Sequence, residues 1–385
     1  MMNRILIVGD DHHNTLGVIE SFAEKGLKSD VIILSKHKHS YVLKSKNVER
    51  GWLFHRDADV LECMCENFRD SENKTIVIAT NDICAVLLDD NYGLLSEFFI
   101  LPNTNNPGRL SATISKENMS GLARSVGMDV PKTWVVNDAN IPEDIEYPCI
   151  TKAISSVAGS KSNILICQTE QELRQFLSAQ NHCPTIQVQK FVDKEYEFQL
   201  LGCSLGYGKE ILIPGRTNII RPNGIDNTFF LKFDRIEKRL EPLVANVRTF
   251  IEKTGFQGPF SVEFLHDKNG KDYFTEMNFR NDGNAFCVTK AGFNVPYIYY
   301  LYNAGGDYKS EIQNSTVKTT YLNPEVSYFS NFLSGEVGFR EWFNNLRKTT
   351  CCTTLFKNDV KPFGWFLING LKHTLEKKFR ADGDN

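Results

Sequence analysis

Much is missing from this 385-residue chain, and each absence argues against a class of function. No run of eighteen apolar residues occurs, so no membrane-spanning helix is expected. The opening stretch MMNRILIVGDD reaches acids within ten positions. It has neither the long apolar core nor the small-residue cleavage site of a secretory leader, which makes a cytoplasmic location the expectation. The ten cysteines include no C-x-x-C pair, so reduced core thiols are expected rather than a zinc site. A cationic excess is absent too. The formal net charge of −3 argues against a general nucleic-acid binder. Neither an internal repeat nor a low-complexity tract is present. After the first apolar run come Gly9 and Gly17, without the G-x-G-x-x-G that cradles a dinucleotide.

What is there has the composition of a globular protein, 41% hydrophobic and 24% charged, at a length that suggests two or three domains. RILIV (4–8) and SDVIILS (29–35) read as buried strands. Between them Leu16, Ile19, Phe22 and Ala23 recur at helical spacing before Gly26. With TIVIAT (75–80) and the helical DICAVLLDDNYGLL after it, this alternation predicts a doubly wound α/β sheet over residues 1–110. Open sheets of that kind bind small ligands at their strand ends. Further on the pattern becomes α+β. Strands are expected at CITK, at TIQVQKFV (185–192) and at EYEFQLLGCSLG (195–206), and an amphipathic helix over 235–256. A β-hairpin over 258–280 turns at Asp267-Lys268-Asn269-Gly270.

That hairpin carries the chemistry. Residues two apart on a strand share a face, so YFTEMNFR lines up Glu276, Asn278 and Arg280, while FSVEFL places Glu263 on the facing strand. Folding at the turn brings the two carboxylates close to cross-strand neighbours. Such a pair repels, and one member keeps a proton unless a cation lies between them. Two carboxylates and an amide oxygen are hard ligands, suited to Mg²⁺ carried with a nucleoside triphosphate. Arg280 stands where charge develops on a transferring phosphoryl or acyl oxygen. A solvated strand of mixed charge is the alternative, but it accounts less well for acids on both strands among apolar neighbours.

The pair FSVEFL…YFTEMNFR resembles the magnesium-binding hairpin of the ATP-grasp superfamily, the fold shared by biotin carboxylase, carbamoyl phosphate synthetase and the D-alanine and D-aspartate ligases. The resemblance covers roughly residues 1–305 and includes CITKAISSVAGSKSNI and IQVQKFVDKEYEF in the same order. It implies an N-terminal pre-ATP-grasp domain (1–110), a small lobe (111–193), a large lobe with the Mg²⁺ site (194–305) and a partly helical, basic C-terminal extension (306–385). It implies, further, that Glu263, Glu276 and Asn278 hold Mg²⁺, with Mn²⁺ able to substitute, and that Arg280 is catalytic. Lys152 and Lys116 would reach the ATP phosphates. The loop SSVAGSK (155–161), with Lys161, would close over them. Gln189, Lys190, Phe191 and Val192 would form the adenine-reading hinge, and Glu197 would hold the ribose. The chain departs from the family at Lys152-Ala153, where KP is common, and in a loop whose one glycine is Gly159. Either Arg216 or Arg221 is the basic residue downstream of the hinge.

The activity so implied is ATP-dependent joining of a carboxylate to an amine through an acyl phosphate. The alternatives are a bicarbonate-activating or carbamoyl-phosphate-type enzyme and an ATP-binding regulatory protein without turnover. Asn281, Asp282 and Asn284 offer polar contacts to a substrate, while His12 and His13 read as solvated loop residues. Small carboxylates and amines are the expected partners, with a cell-wall or polysaccharide precursor among the acceptors. A homodimer is left open. The stretch from Leu355 to Arg380 combines aromatics with six Lys/Arg against two Asp/Glu. It reads as a helix packed by its apolar face, or as a peripheral contact with the inner membrane face.

Overall fold

The computed structural model describes residues 3–136, 141–152, 164–179, 186–219 and 230–370. The apolar runs of the first hundred residues build a parallel sheet. Its strands are β1 (Ile5–Gly9), β2 (Ser29–Leu34), β3 (Val48–Phe54), β4 (Thr75–Ala79) and β5 (Phe99–Ile100), in the order β3-β2-β1-β4-β5. Helices α1 (His13–Ala23), α2 (Asp57–Asn67) and α3 (Asp82–Asp90) pack around it. The direction of winding reverses between β1 and β4, and an open sheet of this topology has its binding crevice at the strand ends there. The short α4 (Tyr92–Leu95), β6 (Asn103–Thr104), α5 (Leu110–Thr113) and α6 (Lys116–Ser125) lead out of it. β3 was not anticipated: VERGWLF is an edge strand of mixed polarity with only partial burial, so it lacks the continuous apolar run of its neighbours.

A small antiparallel sheet follows. It contains β7 (Thr133–Val136), β8 (Cys149–Lys152), β9 (Ile166–Cys167) and β10 (Ile186–Lys190), in the order β7-β10-β8-β9, and α7 (Glu170–Ala179) covers it. Its core of Trp134, Cys149, Leu173, Leu177 and Val188 forms a cluster of its own.

The largest sheet runs β15-β14-β11-β12-β13-β16-β17, with β6 pairing beside β14. These strands are β11 (Lys194–Leu205), β12 (Glu210–Ile219), β13 (Leu231–Asp234), β14 (Phe256–Asp267), β15 (Asp272–Asn278), β16 (Thr320–Asn323) and β17 (Cys351–Cys352). Strand alternation sorts its two faces. Phe198 and Leu200 join the cluster that holds Phe250 of α8 (Glu241–Thr254). Leu201 and Cys203 join Cys287 of α9 (Phe286–Lys290) and Ile298 of α10 (Val295–Asn303). After α11 (Tyr308–Gln313) and β16, two helices, α12 (Glu325–Leu333) and α13 (Phe339–Lys348), form an excursion before β17.

Residues 361–370 are helical. Trp365 and Phe366 pack against the core, with Phe366 edge-on to Tyr41 at 5.1 Å and the Lys44 ammonium 4.8 Å from the Trp365 ring centre. The rest of the basic tail lies outside the described residues. No described helix is long and apolar enough to cross a membrane. The nine described cysteines are free thiols.

Candidate active site

The β14–β15 turn fixes everything downstream of it. Asp267 accepts the backbone N–H groups of Asn269 and Lys271, and Gly270 takes the left-handed conformation (φ 83°) that lets the chain reverse. The resulting register sets Glu263 directly opposite Glu276, Ser261 opposite Asn278, and Gln199 of β11 on the other side of Glu263. A bulge follows Glu263.

The acid pair sits in a polar network. Glu263 Oε1 accepts Gln199 Nε2–H at 3.0 Å and Asn278 Nδ2–H at 3.2 Å. Burial, then the adjoining Glu276 and Asp282, raise the Glu263 pKa, against the opposing pull of Arg280 and Gln199. Lys116, at the start of α6, is held below the ordinary lysine range by burial, with Glu276 pulling the other way. The protein therefore places a lysine beside Glu276 and favours the protonated form of Glu263.

Arg280 lies just beyond β15. Its Nη1 donates to Asp282 at 3.0 Å, and its Nε lies 3.5 Å from the Asp82 carboxylate at the start of α3. Asn281 continues the attachment. Its N–H donates to Ala79 O, its Nδ2 donates to Asn14 Oδ1 at 2.7 Å, and Asn14 in turn donates to Thr80 O and Asn281 O. Thus the crevice at the ends of β1 and β4, open to a ligand on sequence grounds, is filled by the chain's own 280–285 loop. Asn281, Asp282 and Asn284 are buried and hold this loop, with Asp282 accepting from Ser261 and Asn284 donating to Gln199 Oε1. In the structure these residues, expected to offer polar contacts to a substrate, anchor the loop. His12 is exposed ahead of α1, as expected, whereas His13 is half-buried in the first turn of that helix. Their rings are tilted by 37° with centres 3.9 Å apart and lie against Gly283, and desolvation by the surrounding protein lowers both pKa values.

The remaining expected residues among those described lie on the four-stranded sheet, in the segment after it, and on β11 and β12. Lys152 ends β8 opposite Gln187, and its side chain lies outside the described residues, as do Lys161, the 155–161 loop and Arg221. Gln189 is buried on β10 with Nε2 3.3 Å from Thr133 Oγ1. The Lys190 ammonium points away into a 2.5 Å ion pair with Glu146. Phe191 N–H donates to Pro148 O, whereas the Val192 N–H makes no backbone hydrogen bond among the described residues. Glu197 pairs with Lys194. Arg216 stands opposite Leu200, on the sheet face away from Glu263, and its guanidinium lies over Tyr196 and Phe198.

No family model matches the chain. D-aspartate ligase of Enterococcus faecium is 22% identical over 441 residues, spanning 99% of this chain and 98% of that protein. The L-amino acid ligase of Bacillus licheniformis superposes with a TM-score of 0.63 at 15% identity, over 83% of this chain and 79% of that one. The biotin carboxylase domain of Hydrogenobacter thermophilus 2-oxoglutarate carboxylase, solved with MgADP and bicarbonate, gives 0.60 at 16% identity, over 83% and 74%. The fold is ATP-grasp.

Within this ATP-grasp chain the donor set suits a hard cation. Among the described residues no three His, Cys, Asp or Glu side chains gather to hold a metal alone. Two carboxylates with the Asn278 amide are an incomplete shell, the kind a divalent ion completes with phosphate oxygens. Asn278 spends its Nδ2 on Ser261 and Glu263, which leaves its amide oxygen for that purpose. Gln199 was missed from sequence. Its one signal was a polar residue two positions after Glu197, inside an otherwise apolar stretch of strand.

Proposed function

We propose that this chain is an ATP-dependent carboxylate–amine ligase working through an acyl phosphate. The observation that carries the reading is the Glu263–Glu276 cross-strand pair with Arg280 anchored just past it. Glu263, Glu276 and Asn278 would hold Mg²⁺, which supplies charge neutralisation at the triphosphate; Mn²⁺ would fit the same oxygen donors. Lys116 and Lys152 bind phosphate oxygens, and Lys161 with the 155–161 loop covers them. The hinge from Gln189 to Val192 offers its backbone to adenine, and Glu197 takes the ribose. The proposed boundaries fall near residues 110, 193 and 305.

In the first step a substrate carboxylate oxygen attacks the γ-phosphorus of ATP, and ADP leaves. In the second, a neutral amine attacks the acyl carbon, inorganic phosphate leaves, and the nitrogen gives up one proton to the departing phosphate. Arg280, fixed by Asp282 and Asp82, is oriented toward the transferred group before reaction. Such preorganisation supplies most of the rate in phosphoryl transfer. Whole-chain similarity to a D-aspartate ligase favours an amino acid as one substrate. It also favours ligation over bicarbonate activation, because that similarity extends through residues 306–385. A cell-wall or polysaccharide precursor is the proposed class of acceptor.

An ADP-release screen over amino acids, dipeptides, carboxylated sugars and bicarbonate tests this. Release dependent on a carboxylate and an amine together supports the ligase. Release with bicarbonate alone overturns it in favour of carboxylation, and ATP binding without release for any acceptor favours a regulatory protein.

A further inference from the structure

We propose that the α12–α13 hairpin docks on an anionic lipid surface. Helix α13 has no buried residue. Phe339, Trp342, Phe343 and Leu346 follow helical spacing and form one stripe along it. Trp342 turns inward, stacked on Phe332 of α12 at 4.7 Å. The others face out beside Phe329 and Leu333, with Leu333 68%, Phe339 63% and Phe343 47% exposed. Exposed aromatics of this density are unusual away from an interface.

Charge selects the occupant. At 100° per residue, Arg340 and Arg347 fall together on one flank of the stripe, with Asn344 farther round, while Glu341 and Lys348 fall on the far side. Neither arginine forms an ion pair among the described residues. Glu325 of α12 is consumed internally, accepting from the backbone N–H groups of Thr353, Thr354 and Leu355. An aromatic stripe with a cationic flank is the pattern of a helix lying at a headgroup boundary.

A second copy of the chain fits less well. The exposed part of these side chains amounts to roughly 500 Å², below the ~800 Å² per partner of a stable interface. Antiparallel self-pairing along the stripe would also set Arg340 and Arg347 against their own copies. The C-terminal aromatics Trp365 and Phe366, the other candidates for membrane contact, are half-buried against the core.

Sedimentation of the full chain with vesicles tests this without reference to the ligase reading. Binding is expected to phosphatidylglycerol/phosphatidylcholine vesicles and to be much weaker with phosphatidylcholine alone. The double variant F339S/F343S should lose at least about tenfold in binding, and R340Q/R347Q should lose the preference for anionic lipid. Leu94→Ser, an equally exposed apolar residue on α4, should change nothing. Circular dichroism establishes that each variant is folded. Undiminished binding by F339S/F343S would assign the lipid contact to another surface and overturn the proposal. So would an absence of binding, or a dimer in analytical ultracentrifugation that the same double variant dissolves.

Discussion

Two hairpins invert the usual rule of burial in opposite ways. The β14–β15 hairpin carries charge inward, and the α12–α13 hairpin carries aromatics outward. In the first, nearly every inward polar group has found a partner, with Gln199 and Asn278 on Glu263, Asp282 and Asp82 on Arg280, and Ser261 on Asp282. What distinguishes the group is two carboxylates held side by side, a donor set that suits a hard cation. In the second, few partners exist beyond the rings themselves, so the remainder is apolar area with a cationic border. Exceptions to burial identify a partner by the chemistry they leave unsatisfied.

The comparison breaks most decisively at the acid hairpin. Glu276→Ala and Arg280→Ala are each expected to cut turnover by about 10²–10³ or more, while circular dichroism shows a folded chain. Normal ADP release by either would remove that residue from the site. Gln199→Leu comes next. It strips a donor from Glu263 and an acceptor from Asn284 and Thr217, at a cost of about 1–3 kcal/mol by urea melt. Turnover should fall further than that loss of stability explains.

A second acid–acid contact sharpens the lesson. Glu20, buried on α1 beside Asp359, has its pKa raised to about 7 by burial, against an Asn47 hydrogen bond and with Asp359 adding to the rise. The folded form thus holds a proton that the unfolded chain releases near pH 4.5. This contribution to stability is whole below pH 4.5, declines as pH rises toward 7 and is lost above it. Glu20→Gln should therefore raise the melting temperature relative to wild type at pH 8 and leave it nearly equal at pH 4.5. An unchanged difference across that range would show that Glu20 titrates normally. The smallest effect belongs to the helical hairpin. Phe339→Ser should stay within about 0.5 kcal/mol of wild type, because its ring is exposed in the absence of a partner.

The parts read correctly from sequence were those set by neighbours along the chain. Asn269-Gly270 between alternating strands announced the turn, and the continuous apolar runs at 4–8, 29–35 and 75–80 announced the parallel strands. What escaped depended on contacts between distant segments. Gln199 reaches Glu263 across 64 positions and Asn281 reaches Asn14 across 267, so local pattern gave no sign that Asn281 and Asp282 anchor the loop. The same holds for His13 against Gly283. The aromatic stripe of α13 has the spacing of a core helix, and only the fold shows that it faces outward.

The attachment of the 280–285 loop to Asn14, Ala79, Thr80 and Asp82 has a mechanical consequence. It makes the parallel sheet and the arginine-bearing half of the site a single fixed jaw. The four-stranded sheet keeps a separate core and is tied in at both ends, through residues 191–193 and through 126–132, where Asp129 O accepts the Phe274 N–H and the Asp129 carboxylate pairs with Lys271.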